Sequence, residues 1–222
     1  MTRRIPVFLD AHDPDAPSRR HHLALGAAAG GGIALLAALV ARLGVDEHWP
    51  IDHAVRAALS SHAIPRTRKA LRAAGAAGSV GVYVPATLLA MAIVARRGDR
   101  SHTLPLIGSI AGAAAASLLL KRIVRRPRPR TSIGPMNEKP SFPSGHATRA
   151  SAAALAIAYV LVRERLVPRA FALPVAVTLA VAAGVSRAYA DAHWTTDVVG
   201  GWALGGASAA GSALWYETLR AK

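Results

Sequence analysis

The sequence predicts an all-α integral membrane bundle of about six transmembrane helices, with an interfacial amphipathic helix between the first two. Three observations lead there. Hydrophobic residues make up 52% of the 222 residues, and the mean hydropathy is +0.30. The apolar residues are also concentrated: 23–41, 73–95, 103–120 and 198–216 each run without a charge, and roughly 20 such residues span a bilayer core. Two shorter runs, 150–162 and 170–185, lengthen through their polar flanks, His146 to Arg149 and Ser186 to Ala190.

The elements follow in order. Residues 1–20 are polar and contain prolines, and read as a loose tail before a single domain over 21–217 and a short tail over 218–222. The first apolar run has no small-residue cleavage site and reads as a retained helix rather than a signal peptide. Helices are expected over 22–43, 73–95, 102–122, 146–163, 169–190 and 196–217. Between the first two, Ile51, Val55, Ala58, Leu59 and His62 fall at helical spacing. With Trp49 as an aromatic anchor, they predict a short helix on the membrane surface. This 44–72 segment is also expected to shape specificity. The loop 123–145 is rich in Pro and Arg, whereas "RRGDR" and "RERLVPR" are short basic connections. Gly201 and Gly205 in "GGWALGG" suit close helix approach, where lipid supplies no hydrophobic drive.

The charge pattern fits this reading. The formal net charge is +15, and the basic residues cluster beside the apolar runs. Anchoring to anionic lipid explains this, and nucleic acid is not an expected partner. No cysteine is present, so disulfides and thiolate chemistry are excluded. By parity, "RRGDR", "RERLVPR" and "LRAK" share the N-terminal side, which the positive-inside tendency makes cytoplasmic. "PRTRKALR" on the other side counts against this orientation.

Three stretches carry candidate chemistry: "KRIVRRPRPR" (121–130), "PSGH" (143–146) and "SRAYADAHWTTD" (186–197). By parity all three lie at one membrane face. In the first, Pro127 and Pro129 take the chain out of a helix, so that Lys121 and Arg128 present a point charge and a planar fork to an anion. A juxtamembrane basic patch would read the same way. In the second, Ser144 and Gly145 open a helix whose free N–H groups favour anions, with His146 placed to move a proton. An ordinary N-cap beside an interfacial histidine is the plainer explanation. In the third, His193 and Asp197 are four apart, and share a face if both are helical. A carboxylate on one imidazole nitrogen leaves the other free to attack. Arg187 adds a second fork, Asp191 receives no role, and a purely structural His–Asp pair is the alternative. The remaining histidines (12, 21, 22, 48, 53, 62 and 102) lack carboxylates at ligand spacing and read as surface or interfacial; no metal motif is present.

Taken together, Lys121-x6-Arg128-Pro129, Pro143-Ser144-Gly145-His146 and Ser186-Arg187-x5-His193-x3-Asp197 resemble the three-part signature of the type 2 phosphatidic acid phosphatase and vanadium haloperoxidase superfamily. Every signature position is filled, in order, and the signature region covers 121–197. The resemblance implies a metal-independent hydrolase acting on a lipid phosphate or diphosphate, with no cofactor. It implies His193 as the nucleophile forming a phosphohistidine, Asp197 as its orienting carboxylate and His146 as acid, then base. Lys121, Arg128, Ser144, Gly145 and Arg187 would hold the phosphoryl oxygens. The Ala- and Arg-rich composition points to a bacterium, and the positive-inside orientation puts the site on the outer face of its inner membrane. A vanadate-dependent haloperoxidase and a non-catalytic membrane scaffold are the competing readings. The lipid and the oligomeric state are not specified by the sequence.

Overall fold

The computed structural model describes residues 19–44, 49–61, 70–71, 73, 75–96, 100–129 and 139–221. Among these, the regular elements are all helical: α1 (Arg19–Leu43), α2 (Pro50–Ser61), α3 (Val80–Ala95), α4 (Leu104–Val124), α5 (Gly145–Arg163), α6 (Arg169–Tyr189) and α7 (Thr195–Arg220). Short 3₁₀ turns over Ala76–Gly78 and Arg100–Thr103 precede α3 and α4. Helix α1 begins at Arg19, inside the stretch expected as a loose tail; the rest of that tail, "PRTRKALR" up to residue 69, and His12, His48 and His62 lie outside the described residues.

Among the described residues, four helices are long and apolar enough to cross a membrane: Arg19–Leu43, Ser101–Val124, Gly145–Arg163 and Arg169–Tyr189. Helix α3 is apolar but shorter. Helix α7 is long and rich in Gly, Ala, Ser and Thr, because it is the central strut of the bundle: it packs against α5, α1, α4 and α6. Large apolar side chains point outward instead, as with Leu23 at 62%, Leu89 at 63% and Phe171 at 65% exposure. A surface of this kind is stable against hydrocarbon, since lipid offers no penalty for exposed apolar groups.

The α5–α7 seam shows why the small residues are there. A Cβ on Gly201 would sit 2.7 Å from the Ser144 carbonyl oxygen and 2.8 Å from the Ala147 Cβ. One on Gly200 would meet the Phe142 ring at 2.5 Å, and one on Gly205 would run into the Thr148 carbonyl. The start of α5, with its PSGH turn, is therefore pressed backbone to backbone against α7.

One expectation is corrected. The helix expected over 73–95 is interrupted at Ser79, whose extended backbone (φ −84, ψ 148) separates the 3₁₀ turn from α3. The interruption has a packing cause: a Cβ on Gly78 would lie 2.6 Å from the His146 carbonyl oxygen, and one on Gly75 would lie 2.5 Å from the Ser186 hydroxyl. The glycine-bearing segment passes directly over two signature elements. On α2, Ile51 is 54% exposed, whereas its neighbour Asp52 is 1% exposed.

The far end of the bundle is closed by a polar network. Arg163 donates to both Glu217 oxygens at 2.7 and 3.0 Å, and the Tyr159 hydroxyl donates to Glu217 Oε1 at 2.5 Å. The Tyr216 hydroxyl bonds Glu164, and His102 Nδ1 lies 3.8 Å from the same carboxylate. His21 Nε2 is 2.9 Å from the Tyr159 hydroxyl. His102 and His21 thus have polar partners distant in sequence, which their local spacing did not indicate.

The seam generates a paired expectation. Gly201→Ala forces the α5–α7 backbones apart and should cost about 1–3 kcal/mol, read as a fall in thermal stability in detergent. Gly206→Ala, where nothing lies within 4 Å of an added Cβ, should leave the melting temperature within about 2 °C.

Candidate active site

The three signature stretches meet at one end of the bundle. Helix α4 delivers Lys121 in its last turn and ends at Arg125, which adopts a left-handed conformation (φ 50). The chain then runs without regular secondary structure through Arg126–Pro129. Lys121 Nζ donates to the carbonyl oxygens of Pro140 (3.0 Å), Ser141 (3.1 Å) and Pro143 (2.7 Å). A single ammonium therefore ties the end of α4 to the turn that opens α5. The backbone N–H of Ser144 donates to the Asp197 carbonyl at 2.9 Å, tying that turn to α7.

Ser144 occupies the N-cap position of α5, but its hydroxyl makes no capping bond. The residue is fully buried, and its Oγ has no hydrogen-bond partner. Buried polar atoms are almost always paired, and the Ser144 hydroxyl is an exception. Gly145 and His146 follow in the first turn, where N–H groups have no intrahelical acceptor. His146 lies within electrostatic reach of Arg187, Arg149, His193 and Arg128.

His193 precedes α7 rather than lying in it, which corrects the shared-face picture. Trp194 is the N-cap, and Asp197 is the N3 residue of a capping box: its Oδ2 accepts the Trp194 N–H at 2.9 Å. The same oxygen lies 3.4 Å from His193 Nδ1, a long contact. Asp197 thus reaches back over the helix end to the imidazole, and the capping geometry brings the two together instead of the helix face. The other ring nitrogen, Nε2, is 3.2 Å from Arg128 Nη1. A guanidinium only donates, so Nε2 carries the lone pair and the proton sits on Nδ1, facing Asp197. Arg128 is held by the carbonyls of Lys139 (3.0 Å) and Ala192 (2.5 Å).

Three residues that the sequence reading passed over complete the site. Arg126 is buried, and donates to Asp197 Oδ1 (2.9 Å), to the Thr196 hydroxyl (2.6 Å) and to Asp52 Oδ2 (2.7 Å). It lay inside the basic stretch but had no distinguishing position there. Asp52 comes from α2, and also accepts from the Thr196 N–H (2.8 Å) and hydroxyl (2.7 Å). Arg149 lies one turn into α5 and reaches back toward the helix start, as long helical side chains do. Its Nη1 lies 3.0 Å from where a Gly145 Cβ would be, and its buried Nε has no partner. The i, i+4 offset from Gly145 was the available signal. Asp191, given no role from sequence, is left-handed (φ 54) and forms a two-pronged pair with Arg56 at 2.7 and 3.0 Å.

The resulting field is strongly positive, with Lys121, Arg126, Arg128, Arg149 and Arg187 around Asp52 and Asp197. It suits a multiply charged anion, and burial raises the worth of each contact. No group of three or more His, Cys, Asp or Glu side chains suited to a metal ion occurs among the described residues.

Burial pushes the His193 imidazole down to about 4, against the pull of Asp197 in the other direction. Because the folded-state value is lowered, the neutral ring with its Nε2 lone pair holds from neutral pH down to about 4, and is lost only as pH falls through that value. An NMR titration of the ring protons, assigned with His193→Gln, should show a midpoint near 4 rather than the ordinary value of about 6.5. A midpoint near the ordinary value would contradict the buried geometry.

Comparison with known proteins now has a geometry to rest on. Residues 102–221, more than half of the chain, match the family model described as "PAP2 superfamily". The chain is 40% identical over 97 residues to the decaprenylphosphoryl-5-phosphoribose phosphatase of Mycobacterium tuberculosis, covering 42% of this chain and 49% of that one. It is 36% identical over 92 residues to phosphatidylglycerophosphatase B of Bacillus subtilis, covering 39% and 44%. The chain therefore spans about half the length of the curated relatives it matches. A crystal structure of a transmembrane PAP2-type phosphatidylglycerolphosphate phosphatase from Bacillus subtilis superposes with a TM-score of 0.73 at 23% identity, over 82% of this chain and 92% of that one. At that identity the superposition speaks for the fold. With all three signature stretches drawn to one end of the bundle and the family match running through them, the chain belongs to the PAP2 superfamily.

Proposed function

We propose that the protein is an integral membrane phosphatase that removes phosphate from a lipid phosphate or diphosphate through a phosphohistidine on His193. The observation that carries this reading is a buried imidazole whose unprotonated Nε2 faces Arg128 while Nδ1 faces Asp197. In the first step the Nε2 lone pair attacks phosphorus, and the bond from phosphorus to the lipid oxygen breaks. His146 gives its proton to that departing oxygen. Asp197 stabilises the positive charge that develops on the His193 ring. In the second step water attacks the phosphohistidine, His146 takes the water proton, and the P–N bond breaks to release phosphate. Splitting one displacement into two lowers each barrier.

Lys121, Arg128 and Arg187, with the Ser144 hydroxyl and the N–H groups of Gly145 and His146, receive the phosphoryl oxygens. Positioning and charge stabilisation supply most of the rate in phosphoryl transfer. The relatives' names support a membrane lipid as substrate, and undecaprenyl pyrophosphate, phosphatidic acid and phosphatidylglycerol phosphate are the candidates. In this reading the chain crosses the membrane six times, α3 and α7 joining the four long apolar helices, while α2 lies at the interface. The basic connections over 96–100 and 163–169 face the cytoplasm, and the site opens on the outer face of a bacterial inner membrane.

Phosphate release by the purified protein in detergent, with EDTA present, tests the proposal on those three lipids. Turnover should survive EDTA and fall with vanadate, which occupies a phosphate cradle. His193→Ala should lose about 10³-fold or more in kcat, His146→Ala about 10²–10⁴-fold and Arg187→Ala about 10²-fold. Equal release by His193→Ala would overturn the mechanism, and no release from any of the lipids would overturn the activity.

A further inference from the structure

We propose that Asp52 of α2 is a positioning residue for the nucleophile: it acts through Arg126 and Asp197 to set the hydrogen bond that orients His193. The inference rests on the functional reading above and extends it to a helix outside the signature.

The argument begins with burial. Asp52, Arg126 and Asp197 have side-chain exposures of 1%, 1% and 0%, so water screens none of them. One guanidinium faces two carboxylates: Nη2 donates to Asp52 at 2.7 Å and Nη1 to Asp197 at 2.9 Å. A cation shared in this way gives each partner less than its full charge. Were Asp52 neutral, Arg126 would direct all of its field at Asp197. The carboxylate would be drawn toward the guanidinium and away from the imidazole, whose contact with it is already long at 3.4 Å. Asp52 therefore leaves Asp197 enough negative charge to hold and polarise the His193 ring.

The same helix adds a geometric constraint. Asp52 accepts the Thr196 N–H and hydroxyl on one side of the catalytic turn, and Arg56, one helical turn further along α2, pairs with Asp191 on the other side. The Arg126 and Arg56 guanidiniums both lie over the Trp194 ring, at 5.4 and 5.6 Å from its centroid. His193 lies between the two attachment points. Helix α2 thus acts as a splint along residues 191–196.

The test is a kinetic cycle in detergent with Asp52→Asn, Asp197→Asn and the double variant. Phosphatidylglycerol phosphate serves as substrate and vanadate as the probe of the cradle. Asp52→Asn should lower kcat about 10-fold or more, with KM and the vanadate Kd each within about 2-fold of wild type. Adding Asp52→Asn to Asp197→Asn should change kcat by less than about 2-fold, because the two act along one route. A kcat close to wild type, full multiplicative losses in the double variant, or a parallel collapse of vanadate affinity would each overturn the proposal. If the wild-type protein releases no phosphate, the functional reading fails, and the His193 Nδ1 proton resonance decides the positioning claim. That resonance should move upfield in Asp52→Asn as the bond to Asp197 weakens; an unmoved resonance would overturn it.

Discussion

One buried guanidinium governs how this molecule is put together. Arg126 is surrounded by Asp52, Thr196 and Asp197, groups that belong to two different helices, while Arg126 itself belongs to the segment after α4. Removing one member of a buried charge cluster costs about 3–5 kcal/mol, because the survivors cannot be rehydrated where they sit. The cluster is therefore satisfied only when α2, the 125–129 segment and the start of α7 are all in place. Its charge balance also governs the chemistry, since one guanidinium is shared by two carboxylates and Asp197 is at once a partner of Arg126, the cap of α7 and the partner of His193.

Around that core the site is assembled from helix ends. A segment crossing hydrocarbon must satisfy its backbone internally, so the unpaired donors needed to grip an anion are available only where helices start or stop. The protein brings the end of α4, the start of α5 and the turn between α6 and α7 to a common level. It fastens them with main-chain acceptors: Lys121 on three carbonyls, Ser144 N–H on Asp197 O, and Arg128 on Lys139 and Ala192. Using cations to bind carbonyls keeps them in register before any ligand arrives, which is preorganisation in the electrostatic sense.

The sequence disclosed this site unevenly, for physical reasons. The signature positions could be read because they stand at fixed local spacings, and the structure brings the three stretches to one end of the bundle. The helical positions of α4 to α7 followed from apolar run length. Asp52 did not, because a carboxylate on an amphipathic helix normally faces water; its burial is licensed by an arginine 74 residues away. The His193–Asp197 pair was legible as a spacing, but not as a capping box, since both arrangements place a carboxylate within reach of the ring. The break before α3 was hidden inside a charge-free run. Only Gly75, Gly78 and Ser79 marked it, and the reason for it lies across the bundle at His146 and Ser186.

The polar network at the opposite end has a consequence for the helices between. The glycines of the α5–α7 seam each fit opposite one particular stretch of α5, Gly201 at Ser144 and Ala147 and Gly205 at Thr148 and Ser151. At one end Ser144 N–H is bonded to Asp197 O, and at the other Arg163 and Tyr159 are bonded to Glu217. Helix α5 has 19 residues and is therefore about 28 Å long, and a slip of one turn, about 5.4 Å, would break both sets of bonds at once. The two polar ends act as index pins that reinforce this fit. Together with the seam they set the axial position of the PSGH turn opposite His193.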